Sequence, residues 1–506
     1  MDRDSAHLPS VQYQIRKTVT SLTNPDYPRE NGEAHEGTPL LGHSNDYANG
    51  HHDRGEAWQF FFNSHHTPGT ENPKPWVKYP AHVWHITKAT LLSSPVNVLL
   101  VAVPIGIIAG QTGWDPVAVF VINFFAIIPL AAVLSYATEE ISANLGEALG
   151  GLLNATFGNA VELIVSIIAL RDRQIEVVKS SMIGSILSNL LLVMGMCFFF
   201  GGIVNMRDEH GHGQEQTFQT ITAQTTASLM TLSAASMILP GTLFMIINSS
   251  DNGDEAERNS IVLSLSRGTA IILLLLYVLY LWFQLRTHHE LFSAEAGSES
   301  QPNPNESQLP AEAAAEHMRA AVADERGGEP EETHMSPWSA AGVLIVTTVL
   351  VAICADYLVE SIDALVERAH ISRSFIGLIL IPIVGNAAEH VTAVVVAVKN
   401  KMDLAMGVAI GSSIQIALFV TPFLVILGWI MDREMDLHFE TFETVSFALA
   451  VLVVIYTVQD GKSNYLEGAM LMALYVIIAL AFFVTPSQYF NTDWMTNTVT
   501  SLVGSA

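Results

Sequence analysis

The sequence predicts an all-α polytopic membrane protein: eleven transmembrane helices, arranged as one extra helix plus two inverted five-helix repeats. Three observations predict it. Of 506 residues, 50% are apolar and only 14% are charged, where a soluble chain carries about a quarter charged. Apolar runs recur along most of the chain, each near the roughly 20 residues that a bilayer-spanning helix needs. One short pattern also occurs twice, in runs five spans apart.

Residues 1–88 are rich in Asn, Gly, His, Pro and acids and poor in core-forming side chains, which predicts a disordered cytosolic tail. Nine of the eighteen histidines lie there and read as solvated groups. The first 60 residues carry no apolar h-region, so the first membrane helix, 89–111, is expected to act as its own insertion signal. The string Glu36-Gly-Thr-Pro-Leu-Leu41 fits the acidic-dileucine pattern read by sorting adaptors. Expected spans are 90–110, 116–136, 147–170, 179–201, 220–247 and 260–284, then 338–362, 373–398, 403–430, 441–459 and 464–485. Residues 112–285 form repeat one and 337–486 repeat two. Between them, 286–336 carry eleven acids and three arginines, an acidic segment that reads as a solvated linker or as a helix that attracts or senses cations such as Ca2+. Residues 487–506 are a carboxyl-terminal tail. Lys74, Lys78 and Lys88 favour a cytosolic amino terminus by the positive-inside rule, which with eleven spans puts the carboxyl terminus on the other side.

The net charge of −26 argues against nucleic acid as a partner. Cys197 and Cys354 both sit in apolar runs, so no disulfide framework is expected. No GxxxxGK[ST] loop, HExxH pair or GxSxG turn occurs, which argues against an ATP-driven pump or a membrane-embedded hydrolase. The chain is not expected to be an enzyme.

The chemistry sits in the repeated pattern. Gly158-Asn-Ala-Val-Glu162 in the third span reappears as Gly385-Asn-Ala-Ala-Glu389 in the eighth, an offset of 227; the same offset carries Gly184-Ser185 to Gly411-Ser412 and Ser188 to Gln415. Five spans is an odd number, so the second copy enters the membrane from the opposite side. Inverted repeats are an architecture of secondary transporters, whose sites lie at the midplane between halves. A carboxylate at the centre of a span costs roughly 2.5–3.5 kcal/mol. Glu162 and Glu389 are both central, with no Lys or Arg near the middle of either helix. Asn159 and Asn386 share their helix faces, and an amide carbonyl beside a carboxylate suits a hard cation. Gly158 and Gly385 weaken the helix and would let backbone carbonyls turn toward an ion. Ser185, Ser188, Ser412 and Gln415 could add neutral oxygens. Glu139 and Glu140 end the second span, and Asp356 and Glu360 end the seventh; all four are candidate vestibule acids. His390 is a candidate proton relay. Asp208-Glu-His-Gly-His212 has metal-ligand composition but reads as a solvated loop.

These motifs resemble the vacuolar cation/proton exchangers, the Ca2+/H+ antiporters of fungi and plants. Ser264-Leu-Ser-Arg-Gly-Thr-Ala270, Phe283-Gln-Leu-Arg-Thr-His288, Ala409-Ile-Gly-Ser-Ser-Ile-Gln-Ile416 and Asn464-Tyr-Leu-Glu-Gly-Ala469 add to the likeness, which covers about 85–486 apart from the linker. The resemblance implies an eleven-helix fold, two glutamates at the cation site, an acidic cytosolic linker and a place in the vacuolar membrane. The expected activity is exchange of cytosolic Ca2+ for vacuolar H+. The alternatives are an Mn2+/H+ or Na+/Ca2+ exchanger of the same superfamily and, from another class, a Ca2+-dependent partner-binding membrane protein.

Overall fold

The structure, a computed structural model, describes residues 67, 70, 74–145, 147–207, 211–248, 255–288 and 335–485. The sorting string, residues 208–210, most of the acidic linker and the carboxyl-terminal tail lie outside the described residues.

Helix α1, Pro75–Leu92, occupies the last part of the segment expected to lack structure. It turns by 112° into a 3-10 turn, Pro95–Val101, and α2, Ala102–Gln111. Ser94 makes the corner: it precedes a proline, which excludes it from helical geometry, so it is extended, and its hydroxyl accepts from the Val96 N–H. The first expected span therefore starts with a new helix at Pro95.

Helix α3, Pro116–Leu145, is followed by α4, Glu147–Phe157, and α5, Ala160–Arg171. Then come α6, Ile175–Leu187, a π-helical segment Ser188–Val193, and α7, Met194–Val204. Helices α8, Thr220–Asn248, and α9, Glu255–Trp282, complete the first half. The second half opens with α10, Pro337–Glu360, whose Ser336 cap accepts from the Ser339 N–H, and α11, Ile362–Ala369. A single turn α12, Arg373–Phe375, runs through a π-helical segment Ile376–Leu380 into α13, Ile381–Gly385, and then α14, Ala387–Val398. Helix α15, Met402–Gln415, passes through a π-helical segment Ile416–Val420 into α16, Thr421–Ile430; α17, Thr441–Thr457, and α18, Tyr465–Val484, end the fold. Two short strands, β1 Gln216–Thr217 and β2 Lys462–Ser463, pair antiparallel.

Among the described residues, seven helices are long and apolar enough to cross a membrane, and nine if each of two bent pairs counts as one. The other two expected spans are α4 with α5, interrupted at Gly158, and the 17-residue α17. The continuous rods 175–204 and 402–430 are the most enclosed of the seven, while 257–287 and 465–484 show most of their surface. The two rods that carry the Gly-Ser motifs therefore sit at the centre. Each contains one π segment, the first beginning at Ser188 and the second just after Gln415. A π turn leaves backbone groups out of the regular ladder, a frequent feature at functional sites. Cys197 and Cys354 are buried and unpaired with each other.

Candidate cation site

Both repeated motifs break their helices. Helix α4 ends before Gly158 and α5 begins after Asn159 (φ −100°, ψ 24°). Helix α13 ends at Gly385 and α14 begins after Asn386 (φ −90°, ψ 5°), with a 58° bend. Each break leaves carbonyls at a helix end without intrahelical partners and puts the glutamate in the first turn of the next helix, where the N-terminal dipole favours an anion.

The breaks are used crosswise. A Cβ added to Gly385 would lie 2.6 Å from Glu162 Oε1, and one added to Gly158 would lie 3.9 Å from Glu389 Oε1. Each carboxylate thus occupies the break of the other half, and the two are close enough to interact electrostatically. The first approach exists only because residue 385 has no side chain.

The asparagines are not equally employed. Asn159 donates from Nδ2 to Gln415 Oε1 at 2.6 Å, and its Oδ1 accepts from Ser412 Oγ at 3.0 Å. Asn386 has both amide atoms buried with no hydrogen-bond partner. Ser188 Oγ lies 3.1 Å from His390 Nε2, and the Ser185 hydroxyl is buried without a partner. Both oxygens of Glu162 and Oε2 of Glu389 are likewise unpartnered. Glu162 is 3% exposed and Asn386 1% exposed. Buried polar atoms are nearly always bonded, and leaving one unsatisfied costs about 1–3 kcal/mol, more when charged. A concentration of orphaned oxygens around two carboxyls is an arrangement that a cation or protons would complete.

A cavity of about 400 Å3 opens onto this cluster. Glu389, Gly158, Ser412, Gln415 and Gly411 line it, together with Glu139, Gln284 and Asp403. Of the candidate vestibule acids, Glu139 alone lines it. Glu140 is buried and accepts from the Met335 N–H at 3.1 Å. Asp356 pairs with Arg171, 2.5 Å away, at the end of α5 remote from the cavity, and Glu360 is exposed at the end of α10. That remote face is held by further pairs. Arg373 bonds Asp363 at 2.9 Å, Gln174 bonds the same carboxylate at 3.0 Å, and Arg368 pairs with Asp115. The Arg368 guanidinium holds the Asp115 carboxyl below the usual range.

The cavity does not reach through to that face. Helix α6 packs on the π segment 376–380 so closely that a Cβ on Gly184 would meet the Leu378 carbonyl oxygen at 2.1 Å, and one on Gly377 would meet Ser180 Cβ at 2.8 Å. Gly411, at the 227 offset from Gly184, has nothing within 4 Å of the same position.

Two site residues escape a reading of the sequence. Asn189 is fully buried with neither amide atom bonded by strict geometry, and it faces Glu389. Its offset partner is Ile416, so repeat symmetry gives no signal for it. Asp403, which accepts from the Gln219 N–H at 2.6 Å, does have an acidic offset partner, Glu176, and that signal was present.

The sodium/calcium exchanger protein family profile matches residues 116–286 and 339–484. The chain belongs to that family. Within this exchanger family, the chain is 46% identical over 401 residues to a vacuolar calcium ion transporter of Schizosaccharomyces pombe, covering 79% of this chain and 87% of the relative. It is 43% identical over 388 residues to a Ca(2+)/H(+) antiporter of Aphanothece halophytica, covering 77% of this chain and 96% of the relative. The solved structure of native YfkE superposes with a TM-score of 0.59 at 34% identity, over 77% of this chain and 100% of that one.

Proposed function

We propose that this exchanger-family chain moves Ca2+ against H+ across the vacuolar membrane, by presenting Glu162 and Glu389 alternately to its two sides. The observation that carries this reading is the crosswise pair of buried carboxyls, with the unpartnered side-chain amides of Asn386, at the break just before Glu389, and of Asn189, which faces Glu389. The names of the relatives, a vacuolar calcium ion transporter and a Ca(2+)/H(+) antiporter, support the choice of ions and compartment.

In this reading eleven spans form one extra helix and two inverted repeats, with the cavity facing the cytosol and the Arg171–Asp356 face in the lumen. Two ionised carboxyls carry a charge near −2, which one Ca2+ or two protons cancels. The empty ionised site is penalised by burial, so the loaded forms change sides more readily than the empty one. That difference couples the flows. From the open side Ca2+ would pass Glu139 and Asp403 to Glu389, with Asn159, Ser412 and Gln415 already fixed by their mutual hydrogen bonds. Protons from the acidic lumen would displace it on the other side, each pH unit contributing about 1.4 kcal/mol per proton. His390, bonded to Ser188, is placed to relay them.

The test is Ca2+ flux by the purified chain in sealed vesicles under imposed gradients. Uptake driven by internal acid, collapsed by a protonophore and independent of Na+ and ATP, is expected. Uptake that follows a Na+ gradient and survives the protonophore would instead assign Na+ as the counter-ion.

A further inference from the structure

The seal on the face opposite the cavity contains a buried acid that the cation site does not use. Glu443, in the first turn of α17, is 1% exposed and accepts a hydrogen bond from Ser180 Oγ of α6. Ser180 is eight residues from Ser188, about 12 Å along the rod at 1.5 Å per residue, and it is the residue whose Cβ lies against Gly377. The hydrogen bond therefore ties α17 to the same surface that closes the far face.

The charged groups around Glu443 do not neutralise it. Helix α6 contributes Glu176 and Lys179. Lys179 Nζ is taken up by Asp436 at 2.5 Å and by the His438 carbonyl at 3.0 Å. Glu176 accepts from Ser374 Oγ at 3.1 Å. Glu440, just before α17, keeps Oε2 buried with no hydrogen-bond partner. The His438 ring, in the same loop, is held toward its neutral form by burial and by Lys179. Helix α8 and the π segment 188–193, which also pack on α17, carry no ionisable side chain. Three carboxyls thus face one lysine that a fourth already engages. An enclosed carboxylate with only a hydroxyl partner is costly, and a neutral acid is not.

We propose that Glu443 is a proton-operated latch: protonated, it holds α17 to Ser180 and keeps the far face closed; ionised, it lets that face open. The proton is taken from and returned to the same solution, so the latch tunes gating by the pH of that compartment and leaves the exchange ratio unchanged. The proposal uses the exchange reading only to call that compartment the lumen. Its sign is fixed by burial: acid favours the closed form, and a single proton can change the closed-to-open ratio by at most about tenfold per pH unit.

The test is thiol accessibility in the full chain, reconstituted in liposomes, with Cys197 and Cys354 replaced by Ala. Ser374→Cys reports the seal, and Glu434→Cys, exposed on the loop before α17, corrects for the reactivity of the thiol itself. A membrane-impermeant maleimide is applied from the far face at about pH 5.5 and about pH 7.5, a span over which a one-proton switch can act. The corrected labelling of Ser374→Cys should rise at least about threefold with pH, less than the one-proton limit. Glu443→Gln, which keeps an acceptor for Ser180, should flatten that rise, while Glu443→Asp, which keeps the acid, should retain it. An unchanged rise in Glu443→Gln, a flat response in the parent or a lost rise in Glu443→Asp would each overturn the latch. Labelling needs no cargo, so failure here is distinct from failure of Ca2+/H+ exchange.

Discussion

Gly184 and Gly411 stand at matching places in the two central rods, yet their surroundings are opposite. At Gly184 the backbone of the other half is so near that no side chain fits, while Gly411 looks into an open cavity. The asparagine side chains differ in the same sense: both amide atoms of Asn159 are hydrogen-bonded, and neither amide atom of Asn386 is. Matching sequence in unmatched packing is what a two-sided gate requires, because one conformation can close only one face. Under the proposed alternating access, the difference is one of conformational state.

The largest expected effect tests what the halves share. Glu162→Gln and Glu389→Gln should each reduce acid-driven Ca2+ uptake more than about a hundredfold, since loss even of outer partners of a metal ligand costs 10–100-fold. Normal expression and gel-filtration behaviour would show that the fold survives. Substantial uptake by both variants would remove the carboxyl pair from the mechanism.

Next comes the glycine pair. Gly184→Ala should lower thermal stability in detergent, because overpacking a close contact costs typically about 1–3 kcal/mol. Gly411→Ala should leave that stability unchanged but slow exchange about tenfold, a barrier change of about 1.4 kcal/mol, by obstructing closure of the cavity. Undiminished exchange by Gly411→Ala would break the equivalence of the two rods.

The asparagines should separate structure from ion binding. Asn159→Ala removes two hydrogen bonds and strands Ser412 and Gln415, a loss of about 1–3 kcal/mol readable in the melting temperature. Asn386→Ala should leave the melting temperature nearly unchanged without Ca2+ and weaken the shift that Ca2+ produces. Equal melting temperatures for the two variants would contradict the asymmetry. The smallest effect is expected on the exposed far face. Asp115→Asn should leave melting unchanged at neutral pH, because exposed pairs contribute little. The wild-type pair should also persist as pH falls through the ordinary carboxylate range, since Arg368 holds Asp115 ionised below it.

Much of this was legible in the chain. The 227 offset located both glutamates, both asparagines and the four neutral oxygens, because repeated polar residues at the centre of apolar helices are too costly to be incidental. The crosswise use of Gly158 and Gly385 was not legible, since it depends on which helix faces which. The grouping of Asp356 with Glu139 follows from their equivalent positions at span ends. In an inverted pair, however, equivalent ends lie on opposite faces, which fits Asp356 bonding to Arg171 away from the cavity. The helix at Pro75–Leu92 was hidden by composition: its flanks are polar and it contains Pro80, so no apolar run announces it. Glu443 gave only a weak sign, an acid in the opening turn of an apolar helix with no offset counterpart.

The crosswise breaks also bear on assembly. Glu162 fits only against Gly385, and Glu389 lies over Gly158, so neither half of the polypeptide assembles the carboxyl pair by itself. Synthesised as two separate chains, each alone should be inert, and co-translation should restore the pore's activity by complementation.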